Sequence, residues 1–421
     1  MTARGGAMPP TVWAIAFGIF AQGTSELMLA GLLPGMASDL GVTIPQAGLL
    51  ISAFALGMVV GAPALAVLSL RWPRKLALLA FLAAFTVSHI LSALTDSYGL
   101  LFVMRFLGAF AYAGFWAVGG SAAMALAGEE RRGRAMSIVT GGLTVATVLG
   151  LPAGTWIGQR LGWRGAFWMV AALCLIAAIV IVTVVPGLRP GQPTSVRSEL
   201  RGLHQPRLWL SYAMTAASKA ALLGTFCYLG TMLIEIAGLD AGWVPAVLLG
   251  YGLGALVGIA MGGGFADRYP RATLGVGFTG LLVASLLIAL AARHAGAVTV
   301  LVVLLGMVGF GVSPALNSRV LALAPDAPTL AVSGTVSSFN LGIALGPWLG
   351  GLALTAGYDY SAIPAIGAAI AGLALLLWVG DLALGSWTRS LRLGIKQHAA
   401  SRLPEDAAPR RVTDATGTAE S

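Results

Sequence analysis

Two ionisable side chains stand in the middle of long apolar runs, Glu26 and Lys219. Glu26 lies near the centre of a run from about residue 11 to residue 36. That run is long enough to cross a bilayer, which takes roughly 20 residues. A carboxylate at such a depth costs on the order of 3 kcal/mol even on lenient insertion scales. It is either a structural group hydrogen-bonded to a neighbouring helix or a carboxyl that takes up and releases a proton. Lys219 poses the same problem with the opposite sign, because a buried ammonium has to be paired or deprotonated. It reads either as a lysine lining a wet cavity or as a counter-ion to Glu26. A third charge, Arg105, lies about seven residues into its own apolar run from Tyr98, where a long side chain can also snorkel to the interface.

The elements that position these residues are membrane helices. Hydrophobic residues make up 57% of the chain and charged residues 10%, with a mean hydropathy of +0.87. A soluble protein would carry about a quarter charged residues. Apolar segments fall near 11–36, 47–69, 75–94, 98–127, 134–160 and 164–186, and again near 208–235, 244–266, 272–292, 297–324, 329–356 and 360–386. The predicted organisation is a short tail (1–10), a six-helix bundle (11–186), a polar linker (187–207), a second six-helix bundle (208–386) and a polar tail (387–421) expected to be disordered. The first segment is too long for a cleavable signal peptide and others follow it. Cys174 and Cys227 both fall in apolar spans, so no disulfide framework is implied. The four histidines are scattered, and no metal or cofactor is expected. The sequence carries neither a phosphate-binding loop nor a catalytic constellation, which argues against an enzyme or an ATP-driven pump.

The net charge of +9 is explained by topology. With both termini in the cytoplasm, most of the basic residues collect on that side, leaving Arg160, Arg164 and Arg293 opposite. Such a bias orients a membrane protein, and no nucleic-acid partner is needed to account for it.

The halves repeat. Leu56-Gly57-Met58-Val59-Val60-Gly61 is echoed by Leu253-Gly254-Ala255-Leu256-Val257-Gly258, an offset of 197 residues. Arg71-Trp72-Pro73-Arg74 is echoed at the same offset by Arg268-Tyr269-Pro270-Arg271. Extended to the first helix, that offset pairs Gln22 with Lys219, about one turn from the level of Glu26. Gly150, Gly154 and Gly158 with Pro152 correspond to Gly342, Gly346 and Gly350 with Pro347. Small residues four apart form grooves that admit a second helix backbone, and Gly142 and Ala146 extend the first groove. Ordinary helix packing also produces such grooves. Their presence in both halves beside a proline fits two parallel repeats with a site between them.

Together these residues resemble the major facilitator superfamily, and within it the 12-helix drug:proton antiporters, over roughly residues 11–386. The superfamily loop Gly-x-x-x-Asp-Arg-x-Gly-Arg-Arg/Lys is matched by Gly263 to Arg271, including Asp267 and Arg268. In the first copy Ala66 replaces the glycine and Leu70 the aspartate, while Arg71, Arg74 and Lys75 remain. The resemblance implies a gating role for these loop residues and a proton-coupling role for Arg105. It marks Gly142, Gly150, Pro152 and Gly154 as the antiporter motif of exporters. Gly23-Thr-Ser-Glu26-x-Met28-x-x-Gly31-Leu-Leu-Pro34 and Leu68-Ser69-Leu70-Arg71-Trp72-Pro73-Arg74 look most like bacterial chloramphenicol exporters.

The resemblance implies an all-α membrane protein of twelve helices in two pseudo-symmetric bundles, exporting small amphipathic drugs against protons by alternating access. Its partners would be the drug, protons and the bilayer of the bacterial cytoplasmic membrane, with the chain working as a monomer and no cofactor. A neutral amphipathic drug calls for a mostly apolar, aromatic site with a few polar groups. Phe54, Tyr112, Phe115 and Trp116 are the candidates in the first half, with Gln22 as a polar group. Phe226, Tyr228, Phe339 and Asn340 are their counterparts in the second. Two alternatives are a sugar or metabolite exporter, and a non-transporting receptor or scaffold, which would need neither a buried carboxyl nor paired glycine grooves.

Overall fold

The computed structural model describes residues 8–68, 72–128, 131–187, 205–324 and 328–400, without side-chain detail at 66, 67, 132, 133, 267, 328, 329 and 384–400. The described residues are helices joined by short turns, with no strand among them. In the first half these are α1 (Pro10–Met28), α2 (Leu33–Leu40), α3 (Ile44–Leu68), α4 (Arg74–Leu94), α5 (Tyr98–Ala127), α6 (Arg132–Val145), α7 (Leu151–Leu161) and α8 (Trp163–Val184). The second half holds α9 (Pro206–Cys227), α10 (Leu229–Glu235), α11 (Val244–Arg268), α12 (Pro270–Leu290), α13 (Ala295–Gly311), α14 (Ser313–Leu323), α15 (Pro328–Thr355) and α16 (Ala362–Ala400). Contacts group the chain into two units, Met1–Trp378 and Val379–Ser421. The second, where described, is the end of α16.

Among the described residues ten helices are long and apolar enough to cross a membrane, or eleven when α9 and α10, bent by about 40° at Tyr228, are taken as one span. Twelve apolar segments were expected. The twelfth is α15, which is 28 residues long but carries Ser333, Thr335, Ser337, Ser338 and Asn340. A helix polar on that scale has to be covered by protein, and α15 packs between α3 and α9. The chain is a multi-pass membrane protein.

Prolines set where helices start. Pro10, Pro206 and Pro270 each stand at the head of α1, α9 and α12, where the missing N–H costs nothing. Pro152 falls inside the fifth span, and there the helix answers with a π turn over Ala146–Gly150 before resuming as α7. In the first span the helix tightens to a 3-10 turn at Leu29–Gly31, three residues beyond Glu26. The chain turns at Gly41 and Gly162 in positive φ (64° and 77°), a region that favours glycine.

The glycine grooves hold helices. A Cβ on Gly142 would stand 2.3 Å from the Ala16 carbonyl oxygen, one on Gly150 2.2 Å from Thr24 Oγ1, and one on Gly154 2.9 Å from Met28 Cβ, so the first groove receives α1. Gly342 and Gly346 stand equally close to the carbonyl oxygens of Ala216 and Ala220 in α9. The other repeated glycines pack in the same matched way. Gly57 meets the Phe106 carbonyl and Gly61 that of Phe110; Gly254 meets Val303 and Gly258 meets Met307, again 197 residues on.

One end of the first half is tied by charge. Arg164 reaches Asp39 at 3.3 Å and Asp96 at 2.5 Å, stacks on Trp163, and bonds the Thr95 carbonyl. Trp163 donates its ring N–H to Asp39. The arginine joins α2, the α4–α5 turn and α8. Because the acids are half or more exposed, Arg164→Ala is expected to cost only about 1 kcal/mol, read as a small drop in melting temperature in detergent.

Candidate functional site

Glu26 sits on α1, buried among α1's neighbours at 7% exposure. It makes no hydrogen bond and no ion pair among the described residues. Arg105 lies close enough for each to feel the other's charge, yet no Glu26–Arg105 contact falls within ion-pair distance. The sequence allowed Arg105 to snorkel. In the structure its side chain is 1% exposed and points inward from α5.

What holds Arg105 is Ser25, next to Glu26 in the chain. Nη1 of Arg105 donates to Ser25 Oγ at 2.7 Å and to the Ser25 carbonyl at 3.4 Å, and the guanidinium lies 4.2 Å over the Phe54 ring. Ser25 Oγ is in turn 2.6 Å from His89 Nε2, while His89 Nδ1 is 2.9 Å from the Phe85 carbonyl. A carbonyl only accepts, so Nδ1 carries a proton, and in the neutral ring Nε2 is then left to accept from the serine. The chain of donors runs Arg105 to Ser25 to His89 to the Phe85 carbonyl. Arg105 Nε and Nη2 have no partner, and neither does the buried hydroxyl of Tyr112. Two guanidinium donors and one carboxylate are thus left open in the same interior.

Ser25→Ala removes the hydroxyl that links Arg105 to His89. Leaving a buried donor unsatisfied costs about 1–3 kcal/mol, so the variant is expected to melt several degrees lower in detergent. An unchanged melting temperature would show that the hydroxyl does not hold the guanidinium.

Lys219 on α9 is fully buried. Its ammonium donates to the Gly309 carbonyl at 2.9 Å and to Ser313 Oγ at 2.8 Å, and lies 4.9 Å and 5.0 Å from the Phe310 and Phe339 ring centres. It neither pairs with Glu26 nor lines a cavity without partners. In this conformation a carbonyl, a hydroxyl and two aromatic faces replace the expected counter-ion.

The aromatic candidates separate into groups. Phe54 and Tyr112 pack with Phe85 around Arg105. Phe226 stacks on Tyr251 at 4.4 Å, and Tyr251 meets Phe310 edge-on; Phe339 joins them through Lys219. Phe115 is core, filling the space beside Gly18 and Gly119, and Trp116 is half-buried beside it. Tyr228 closes the bend after α9 by donating to the Pro347 carbonyl and lies against Gly48 of α3. Gln22 and Asn340 each donate to a carbonyl four residues back in their helix, and their side-chain oxygens stay unpartnered.

In the loops expected to gate transport, Arg71 and the side chain of Asp267 lie outside the described residues. Arg74 donates to the Ser121 carbonyl and Lys75 to the Val182 carbonyl near the end of α8, where cations complement the helix dipole. Arg268 and Arg271 are exposed. Sequence reasoning missed Ser25 and His89.

The halves meet along α3 and α15, where Ser52 donates to the Ala344 carbonyl at 2.8 Å and Ser337 to the Val59 carbonyl at 3.4 Å. They meet again where Gly252 touches the Thr147 carbonyl and Gln159 bonds the Ala241 carbonyl.

The chain is similar in sequence to known proteins. Residues 15–338 match the model of the Major Facilitator Superfamily. The chain is 41% identical over 345 residues to a chloramphenicol resistance protein of Streptomyces lividans, covering 81% of this chain and 88% of that protein. It is 35% identical over 364 residues to the inner membrane transport protein YdhP of Escherichia coli K12, covering 86% and 94%. An MFS-type transporter of Bacillus subtilis, YtbD, is 35% identical over 404 residues, 95% of this chain and 100% of that one. Its all-helical span pattern, its paired glycine grooves and a family match across most of its length agree, and the chain belongs to the major facilitator superfamily, a family of transporters and not of enzymes.

Proposed function

We propose that this transporter is a proton-driven exporter of chloramphenicol or related amphipathic antibiotics. It would sit in the bacterial cytoplasmic membrane with both termini inside, and work by alternating access as a monomer without a cofactor. The observation that carries the reading is Glu26: a buried carboxyl without a hydrogen bond, beside a guanidinium with two open donors. Protonated, Glu26 is neutral and tolerates burial. Deprotonated, it gains from turning to Arg105, which would leave Ser25 to meet it. A proton is thereby exchanged for an ion pair, and that exchange can be coupled to the seams between halves. The likeness to a chloramphenicol resistance protein supports the cargo, and the antiporter-motif glycines, seated against α1 beside Glu26, support the direction.

Expression in a host lacking its own pumps is expected to raise the inhibitory concentration of chloramphenicol several-fold. An uncoupler should abolish extrusion in cells whose ATP is held constant. Extrusion that persists would rule out the proton gradient as the energy source. A second reading, export of a sugar or another polyol, is favoured by the open amide oxygens of Gln22 and Asn340, which could accept from hydroxyls. The same host challenged with sugars separates the two.

A further inference from the structure

A buried serine or threonine in a helix has a partner at hand, the carbonyl four residues back. Thr24 of α1 bonds the Phe20 carbonyl in this way, and Thr86, Thr155, Thr215 and Ser338 do the same in their own helices. Ser25 does not. Its hydroxyl oxygen lies 2.6 Å from His89 Nε2 and 2.7 Å from Arg105 Nη1. What draws it off its own helix therefore comes from α4. His89 is 2% exposed, with its ring 4.2 Å from that of Phe85 and 5.5 Å from that of Phe167. Nδ1 donates to the Phe85 carbonyl, which in the neutral ring leaves Nε2 bare. The serine proton then goes to Nε2, and the serine oxygen keeps its lone pairs for the guanidinium. A hydroxyl that donates in such a chain also accepts more strongly.

The consequence falls on Glu26. Residues 25 and 26 point about 100° apart on α1. While Nη1 of Arg105 is on Ser25, no Arg105–Glu26 contact lies within ion-pair distance, although each feels the other's charge. Whatever strengthens the bond to Ser25 favours a neutral Glu26, and whatever weakens it favours the ionised form. Around Glu26 the titratable side chains are Arg105 and Tyr112 of α5, His89 of α4 and Cys174 of α8. Lys219 of α9 is turned to Gly309 and Ser313. Arg134 on α6, Arg160 on α7 and Glu235 on α10 stand exposed, and Arg164 on α8 is held by Asp39 and Asp96.

We infer that His89 is a positioning residue for proton exchange. By taking the Ser25 hydroxyl proton it turns the serine oxygen to Arg105 and keeps the guanidinium parked away from Glu26. The inference rests on the reading of Glu26 as the proton carrier.

The test follows the carbonyl stretch of protonated Glu26 by infrared spectroscopy, on the full chain in nanodiscs without drug. Loss of the band in Glu26→Gln assigns it and separates it from Asp381, which is also buried. His89→Leu removes the acceptor. Arg105 is then freer to pair, the carboxylate gains, and the pH at which the band disappears should fall. Losing one such hydrogen bond is worth about a fivefold drop in proton affinity, roughly 0.7 pH unit. His89→Gln places an amide oxygen where Nε2 stands and should bring the midpoint most of the way back. His89→Asn reaches the Phe85 carbonyl but not Ser25, and should behave as the leucine variant. A role in folding alone would change how much protein is recovered, and not the order of these midpoints. A midpoint that stays at the parental value or rises in either folded variant, leucine or asparagine, overturns the proposal. Should neither fold, Ser25→Ala decides, since freeing Arg105 from the other side must lower the midpoint in the same way. A Glu26 band insensitive to pH defeats the proton-exchange reading and the proposal together. A band that titrates but ignores these variants defeats the proposal alone.

Discussion

Glu26→Gln is expected to abolish uphill drug transport while leaving downhill exchange. The amide keeps the size of the protonated acid and cannot lose a proton, so the side chain never acquires the charge that would draw Arg105 from Ser25. The accumulation ratio in vesicles driven by a pH gradient should fall to about one, against tenfold or more for the parent, since each tenfold of gradient stores about 1.4 kcal/mol. Glu26→Asp retains the acid with a shorter reach and should keep part of the activity. Counterflow of labelled chloramphenicol, which needs no net proton movement, should survive in the glutamine variant. Full gradient-driven transport by Glu26→Gln would return this residue to a structural role.

Gly150→Leu should be nearly as damaging by an unrelated route. Even a Cβ at this position would stand 2.2 Å from Thr24 Oγ1 and 2.9 Å from Thr24 Cβ. The three further heavy atoms of leucine therefore have to push α1 out of its groove. Thr24 lies two residues before Glu26, so the displacement moves the carboxyl relative to Arg105. We expect a protein that inserts and is recovered in the membrane but transports more than tenfold more slowly. Gly141 provides the control, because a Cβ there meets nothing within 4 Å, and Gly141→Leu should transport close to the parental rate. Equal activity of the two leucine variants would mean that the groove contact plays no part in the cycle.

Much of this architecture is legible in the chain itself because bilayers impose simple rules. Apolar length reports the spans, and glycine at every fourth position reports where helix backbones touch. The grooves of Gly142 to Gly158 and Gly342 to Gly350 were readable for that reason, as was the depth of Glu26. The hold on Arg105 was not. Ser25 and His89 are ordinary residues 64 positions apart, and nothing local announces that they will meet a guanidinium from a third helix. Lys219 misled for a different reason. Its main partner is the carbonyl of Gly309, a backbone group with no signature in sequence.

The two cysteines give this transporter a built-in clock. Cys174 is packed inside α8 and Cys227 closes α9 at the bend before Tyr228, and both thiols are buried and free. A buried thiol reacts with a maleimide only as fast as its surroundings open. Cys227 sits where the seventh span bends, beside a tyrosine that touches the other half at Gly48, so opening of that contact would unmask it. Cys174 lies deep within one half and serves as the internal reference. The ratio of their labelling rates, followed with and without cargo, would time the motion of the unmodified protein without a single engineered residue.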